Sequence, residues 1–245
     1  MNDAKKIAWI IGGSSGIGLS SGLELAKAGF TVVLASRTED ALLAAVRQVE
    51  ALGGQASHVV MDAMEQGDVA SAAAGIVSRY GRIDVLVNSA GFNVAARRWE
   101  ELRAGDFERV ISGNLTGTFY AVEAVLPTMR TQRCGTIVNI ASIAGKVVTT
   151  GGGVAYTVAK HGVIALTQTI NMAECRHGIR ACALSPGETA TPIMAKRATP
   201  PSQEEINRML QPDDVARAVR FAVEMPSRAS VYEIVLSPTW NRAWV

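Results

Sequence analysis

Ile11-Gly12-Gly13-Ser14-Ser15-Gly16-Ile17-Gly18 decides how this chain is read. The run closes an apolar stretch, Ile7 to Ile11, and opens a helix-like one, Leu19 to Ala28. A strand that turns through glycines into a helix leaves backbone N–H groups unpaired beside the positive end of the helix dipole. That arrangement is an anion site. Gly12 permits the sharp exit from the strand. Gly16 and Gly18 let the backbone approach a pyrophosphate and let the helix lie close on the sheet. Ser14, Ser15 and Ile17 complete the turn and are counted with the glycines as cofactor-binding. The spacing is Gly-x-x-x-Gly-x-Gly, which differs from the Gly-x-Gly-x-x-Gly of the usual dinucleotide fingerprint. Alone, the turn leaves open a plain strand-to-helix connection.

Outward from this turn, apolar runs alternate with helical stripes. Thr31–Ala35, Ser57–Met61, Ile83–Val87, Gly135–Ala141, Ile179–Leu184 and Val231–Leu236 read as further strands. Between them, Leu42, Ala45, Val46, Val49 and Leu52 recur at helical spacing, as do Val69, Ala72, Ala73, Ile76, Val77 and Tyr80. A long helix is expected from about Asp106 to Thr131, with Asn114 in its middle. The loop Gly151-Gly152-Gly153 leads into a helix carrying Tyr156 and Lys160, and Pro212 opens one more helix.

This pattern predicts an α/β fold: a Rossmann-like, doubly wound parallel sheet of about seven strands, with helices on both faces. The whole chain, 1–245, reads as one dinucleotide-binding and catalytic domain, with 191–211 an insertion forming a lid over the site. Ligands in such sheets bind beyond the carboxyl ends of the strands. Those ends carry Gly12 to Gly18, Ser36-Arg37, Asp62, Asn88 to Gly91, Ser142 and Pro186-Gly187.

Composition narrows the partners. The formal charge is +2, with basic residues scattered, so no nucleic-acid surface is expected. Apolar residues make up 48%, enough for a sizeable core. No run reaches membrane-span length, and the N-terminus lacks a signal-peptide pattern, so no membrane partner and a cytoplasmic location are expected. Cys134, Cys175 and Cys182 lack metal-ligand spacing and read as reduced, buried small side chains; no metal is expected. His58, His161 and His177 form no ligand or triad pattern.

Taken together and in order, several motifs make the chain resemble the classical short-chain dehydrogenases/reductases over nearly its whole length. They are the glycine turn, Asn88-Ser89-Ala90-Gly91, Asn114, Ser142, Tyr156-Thr157-Val158-Ala159-Lys160 and Pro186-Gly187. The resemblance implies a nicotinamide cofactor, interconversion of a carbonyl and an alcohol, and a homodimer or homotetramer. It also implies that Asp62 and Ala63 meet the adenine, and that Asn88, Ala90 and Gly91 line the adenosine ribose. Pro186, Gly187, Thr189 and Thr191 would hold the nicotinamide, Lys160 its ribose, and Asn114 would relay protons from Lys160 through water. The chain departs from the family pattern at Ile11, often Thr, and at Ser89, usually Asn. Its close, Leu236-Ser237-Pro238-Thr239-Trp240, also replaces the common Val-Asp-Gly-Gly.

The residues themselves support such chemistry. Tyr156 and Lys160 share one helix face. A free phenol titrates near ~10, and a neighbouring ammonium lowers that value by stabilising phenolate. Tyr156 can then exchange a proton with a substrate oxygen, to which Ser142 also donates. After the second strand stand Ser36 and Arg37, with no carboxylate until Glu39. An acid there would hold a ribose 2′-hydroxyl, whereas arginine pairs with a 2′-phosphate, so NADP(H) is favoured over NAD(H). Phe92, Val94, Val147, Met194 and the 191–211 segment are candidate walls for a small carbonyl or alcohol substrate. Glu188 either contacts that substrate or faces solvent and a lid arginine. Two alternatives stand beside the NADP(H) reductase: an NAD-linked alcohol dehydrogenase, and a non-catalytic NADP(H)-binding module.

Overall fold

The computed structural model describes residues 5–148, 151–196 and 200–240. Seven strands form one sheet: β1 (Ile7–Ile11), β2 (Thr31–Ser36), β3 (Gln55–Val60), β4 (Val85–Asn88), β5 (Gly135–Ile140), β6 (Ile179–Pro186) and β7 (Glu233–Leu236). All neighbours are parallel, in the order β3-β2-β1-β4-β5-β6-β7. The order reverses between β1 and β4, where Ile11 stands level with Ala35 on one side and Asn88 on the other. A crevice opens at such a reversal, beyond the carboxyl ends of the strands.

Helices cover both faces, as the continuous apolar strands require. Successive side chains of a strand point to opposite faces. Ala8, Ile10, Val32, Leu34, Val138 and Leu184 pack against α1 (Gly16–Lys27), α2 (Glu39–Ala51) and α8 (Pro212–Glu224). Ile7, Trp9, Ile11, Val33, Leu86 and Ile137 meet α3 (Gln66–Tyr80), α5 (Gly117–Gln132) and α6 (Val154–Glu174). The expected doubly wound sheet is therefore what the chain forms.

Three expectations need correction. The helix anticipated over 106–131 is broken: α4 (Ala104–Ile111) runs into a π-helical turn, Ser112–Thr116, before α5. Side chains hold that wide turn. Asn114 Nδ2 donates to the Val110 carbonyl at 2.9 Å, and Thr118 Oγ1 to the Asn114 carbonyl at 2.8 Å. Apolar periodicity does not register one extra residue in a turn. The fourth and seventh strands start at Val85 and Glu233, not at Ile83 and Val231. Cys134 and Cys175 are exposed; only Cys182 is buried, where burial pushes its thiol up to about 12. The segment 191–211 contains a 3-10 turn, Pro192–Lys196, and a short helix α7 (Gln203–Arg208), while 197–199 lie outside the described residues. Ser202 and Glu205 cap α7 reciprocally, which accounts for its start inside a Pro- and Thr-rich stretch.

Candidate active site

A cleft of about 1180 Å³ opens beyond the carboxyl ends of the strands. Its floor is the turn from β1 to α1. Gly12 has φ +79°, and a Cβ there would stand 2.6 Å from the Ala90 backbone nitrogen. Only glycine fits both demands. Ser14, Ser15, Gly16 and Ile17 line the cleft at the start of α1. No side chain caps that helix and its first turn holds no acid, so its positive end faces the cleft uncompensated. Gly18 does not line the cleft. A Cβ there would overlap the Gly12 carbonyl, so its role is to seat the helix on the turn.

One wall comes from β2 and β3. Ser36, Arg37, Asp62 and Ala63 line it. Ser36 Oγ is buried with no hydrogen-bond partner among the described residues. The Arg37 guanidinium is largely exposed and lies 3.8 Å from the Asp62 carboxylate. Ala90 and Gly91 line the next wall, but Asn88 does not. Asn88 is buried and donates to Asn139 Oδ1 at 2.8 Å, while Asn139 donates to Thr167 Oγ1 at 2.9 Å. Asn88 Nδ2 thus braces the sheet rather than lining the cleft beside the expected ribose. Ser89, where the family usually carries a bracing amide, lines the cleft.

Asn114, Ser142, Tyr156 and Lys160 meet along the cleft. Tyr156 and Lys160 lie within the first two turns of α6, and Lys160 Nζ sits 5.4 Å from the Tyr156 ring centroid. Lys160 is buried and donates to the Ile140 carbonyl at 2.8 Å. Burial lowers its pKa from 10.5 to about 8, so the ammonium persists at neutral pH. Ser142 leaves β5 and caps a 3-10 turn, accepting from Ala144 N at 3.2 Å. Asn114 is fully buried. Its Nδ2 also donates to the Phe92 carbonyl at 2.8 Å, whereas its Oδ1 has no partner among the described residues. A Cβ on Gly91 would stand 2.5 Å from that Oδ1 and 3.5 Å from Lys160 Nζ. The bare glycine is what lets amide and ammonium converge.

Pro186, Gly187, Glu188, Thr189 and Thr191 line the far wall, and Phe92, Val94, Val147 and Met194 the outer part. The Gly187 N–H donates to the Leu236 carbonyl at 2.7 Å, so the unusual chain close props the Pro186-Gly187 corner. Sequence reasoning missed Asn93, Arg97, Gly151 and Gly152, which also line the cleft. They tie two loops together. Asn93 Nδ2 donates to the Gly152 carbonyl at 2.9 Å and Arg97 Nη1 to the Gly151 carbonyl at 2.6 Å. The Val154 N–H, first in α6, donates to the Arg97 carbonyl at 3.2 Å. Gly153, with φ +72°, leaves room for Arg97. The triple glycine was the available signal, since it makes a close backbone approach possible.

The family model described as short chain dehydrogenase matches residues 6–201, which carry the glycine turn and all four clustered polar residues. The chain belongs to the short-chain dehydrogenase family. Cyclohexanol dehydrogenase of an Acinetobacter species is 35% identical over 219 residues, covering 88% of this chain and 86% of that protein. The 3-oxoacyl-(acyl-carrier-protein) reductase of Thermotoga maritima is 34% identical over 224 residues, covering 88% and 89%. Among solved structures, a metagenomic short-chain oxidoreductase in complex with NADP superposes with a TM-score of 0.82 at 28% identity, over 96% of this chain and 98% of that one. This short-chain dehydrogenase is therefore an oxidoreductase acting on CH–OH groups and their carbonyl counterparts. As in its relatives, a nicotinamide cofactor and a small-molecule substrate belong to that activity. The described residues fit such a cofactor: a glycine cradle, an open helix N-terminus and a buried unpartnered hydroxyl at Ser36.

Proposed function

We propose that this short-chain dehydrogenase is an NADPH-dependent carbonyl reductase, reversible as a secondary-alcohol dehydrogenase, with Tyr156 as its acid and base. The observation that carries the reading is the convergence of Ser142, Tyr156 and Lys160 on one cleft with the glycine cradle. Bound nicotinamide supplies hydride in one direction and accepts it in the other. Tyr156 gives its proton to the carbonyl oxygen during reduction and removes it from the alcohol in reverse. The Lys160 ammonium, near the Tyr156 ring in a dry pocket, stabilises the phenolate left behind. Ser142 donates to the same oxygen and shares its developing charge. Asn114 holds the π turn open and aims its amide oxygen at Gly91 beside Lys160, a place suited to a relaying water.

Ser36 and Arg37 support NADPH over NADH: a buried free hydroxyl and an accessible guanidinium meet at the end of β2. Asp62 and Ala63 face the adenine in this reading, Ala90 and Gly91 the adenosine ribose, and Pro186, Gly187, Thr189 and Thr191 the nicotinamide. Phe92, Val94, Val147 and Met194 wall the substrate, Glu188 stands at its edge, and 191–211 closes over it. The chain acts as a single domain. Phe119 and Val158 stand exposed on α5 and α6, which suits packing of these helices on a second subunit. Among the described residues no helix is long and apolar enough to cross a membrane, and the proposal places the enzyme in the cytoplasm.

The test is NADPH consumption with a ketone panel that starts at cyclohexanone, the counterpart of the Acinetobacter relative's alcohol. Turnover that is lost in Tyr156→Phe while NADPH still binds supports the reading. NADPH binding without turnover of any ketone or alcohol favours the non-catalytic module, and a preference for NADH favours the NAD-linked dehydrogenase.

A further inference from the structure

We propose that Gly113 and Phe92 together set how bulky a carbonyl substrate the cleft accepts, Gly113 by leaving the hollow into which the Phe92 ring lies back. The inference rests on the ketone-reductase reading and extends it to the size of the substrate. A Cβ on Gly113 would overlap Phe92 Cε1 and stand 3.0 Å from Cδ1 and 3.2 Å from Cζ. The ring thus occupies the place that any other residue at 113 would fill. Interiors are close-packed, so two groups do not share that space.

Other contacts hold the ring where it is. The Arg109 guanidinium carbon lies 5.3 Å from the ring centroid, within cation–π range. Backbone freedom is restricted too, because the Phe92 carbonyl accepts from Asn114 Nδ2 at 2.8 Å. Phe92 and Tyr156 pack against the same small cluster, Val110, Ala155 and Ala159. Phe92, Gly113 and Tyr156 all line the cleft. With Arg109 on one side and the α4 and π-turn backbone beneath, the cleft is the open direction for a displaced ring. A side chain at 113 therefore drives the ring toward the space beside the Tyr156 hydroxyl, where a substrate's larger substituent would lie.

The experiment compares Gly113→Ala, Phe92→Ala and the double variant, each saturated with NADPH, using 2-butanone as a small ketone and acetophenone as a bulky one. In Gly113→Ala the ratio of kcat/KM for acetophenone to that for 2-butanone falls about tenfold. The double variant has no ring to displace and regains the wild-type ratio or exceeds it. Phe92→Ala alone raises the ratio by about the same factor, which carries the test if Gly113→Ala does not fold. A crystal structure of Gly113→Ala with NADPH shows the Phe92 ring turned into the cleft. An unchanged ratio in both single variants overturns the proposal. So does an equal fall for both ketones that the double variant leaves in place, because that effect belongs to the neighbouring Asn114. If the wild-type protein binds NADPH and reduces neither ketone, the reductase reading fails on its own account. The ring position in the variant crystal then decides the pair: turned, it supports the steric argument, and unmoved, it overturns it.

Discussion

At the amino end of the sheet, Asp84 accepts from the Ile7 N–H at 2.8 Å and pairs with Arg82 at 2.6 Å. Gln132 closes both a donor and an acceptor of Ile83, each at 2.9 Å. Arg180 reaches Thr136 Oγ1 and the carbonyls of Val223, Pro226 and Ala229. Glu174 pairs with Arg130 at 2.6 Å, and that guanidinium holds its carboxyl below the usual carboxylate range. At the carboxyl end, by contrast, Ser36 Oγ, Asn114 Oδ1 and Ser185 Oγ are buried without partners among the described residues, and Lys160 keeps an ammonium in a dry site. A buried polar group without a partner costs about 1–3 kcal/mol. The groups named at the amino end are thus satisfied within the chain, while those named at the carboxyl end hold hydrogen-bonding capacity open. Strands tilt neither end toward function; the loops that follow them do.

The comparison breaks if changes at the carboxyl end spare activity. The largest expected effect is that of Tyr156→Phe, which lowers ketone reduction by about 100- to 10,000-fold while NADPH affinity, measured by fluorescence titration, holds. Next is Arg37→Ala. Losing a charge-assisted contact of about 1.5–3 kcal/mol weakens NADPH binding by roughly 10- to 100-fold and leaves NADH binding unchanged, as calorimetry would show. Third is a pH effect. Burial lowers the Lys160 pKa to about 8, so the ammonium is present below that pH and lost above it. Ketone reduction therefore falls on an alkaline limb near pH 8, by about tenfold per further unit, visible in a kcat/KM profile. The same shift has a stability sign. The unfolded chain binds the Lys160 proton more tightly, so this group's contribution to stability rises with pH between about 8 and its ordinary value of 10.5. The smallest effect on catalysis comes from the other end. Asp84→Ala removes the acceptor for Ile7 and Arg82 and lowers the unfolding free energy by about 2 kcal/mol in urea titrations, with kcat and KM unaltered.

Much of this contrast is written in local sequence. Ile7 to Ile11 and Val85 to Val87 are apolar without interruption, as strands covered on both faces must be, and glycines follow where a chain must turn sharply. The four-residue step from Tyr156 to Lys160 is enough to place both on one face of a helix. The π turn is different. Asn114 holds it open through Val110 and also through Phe92, which lies 22 residues away along the chain. Helical periodicity across 106–131 is blind to such a contact. The same holds for Asn88, whose amide turns to Asn139 on the neighbouring strand and not to the cleft. Arg97 sits in a loop where no periodicity marks its partners. Its carbonyl caps α6 and its guanidinium holds Gly151 across a gap of 54 residues.

By itself, then, the order of residues determined the alternation of strand and helix, the glycine turn that opens α1 and the placing of Tyr156 and Lys160 on one helix face. Each of these depends on neighbours within a few positions, through backbone sterics and the repeat of one helix or strand. The tertiary structure alone decided which polar atoms stay unpartnered, how far the Lys160 ammonium is dried, and where the Phe92 ring comes to rest. Those properties arise from groups distant in the chain that meet only after the sheet has closed, and short-range spacing holds no information about them.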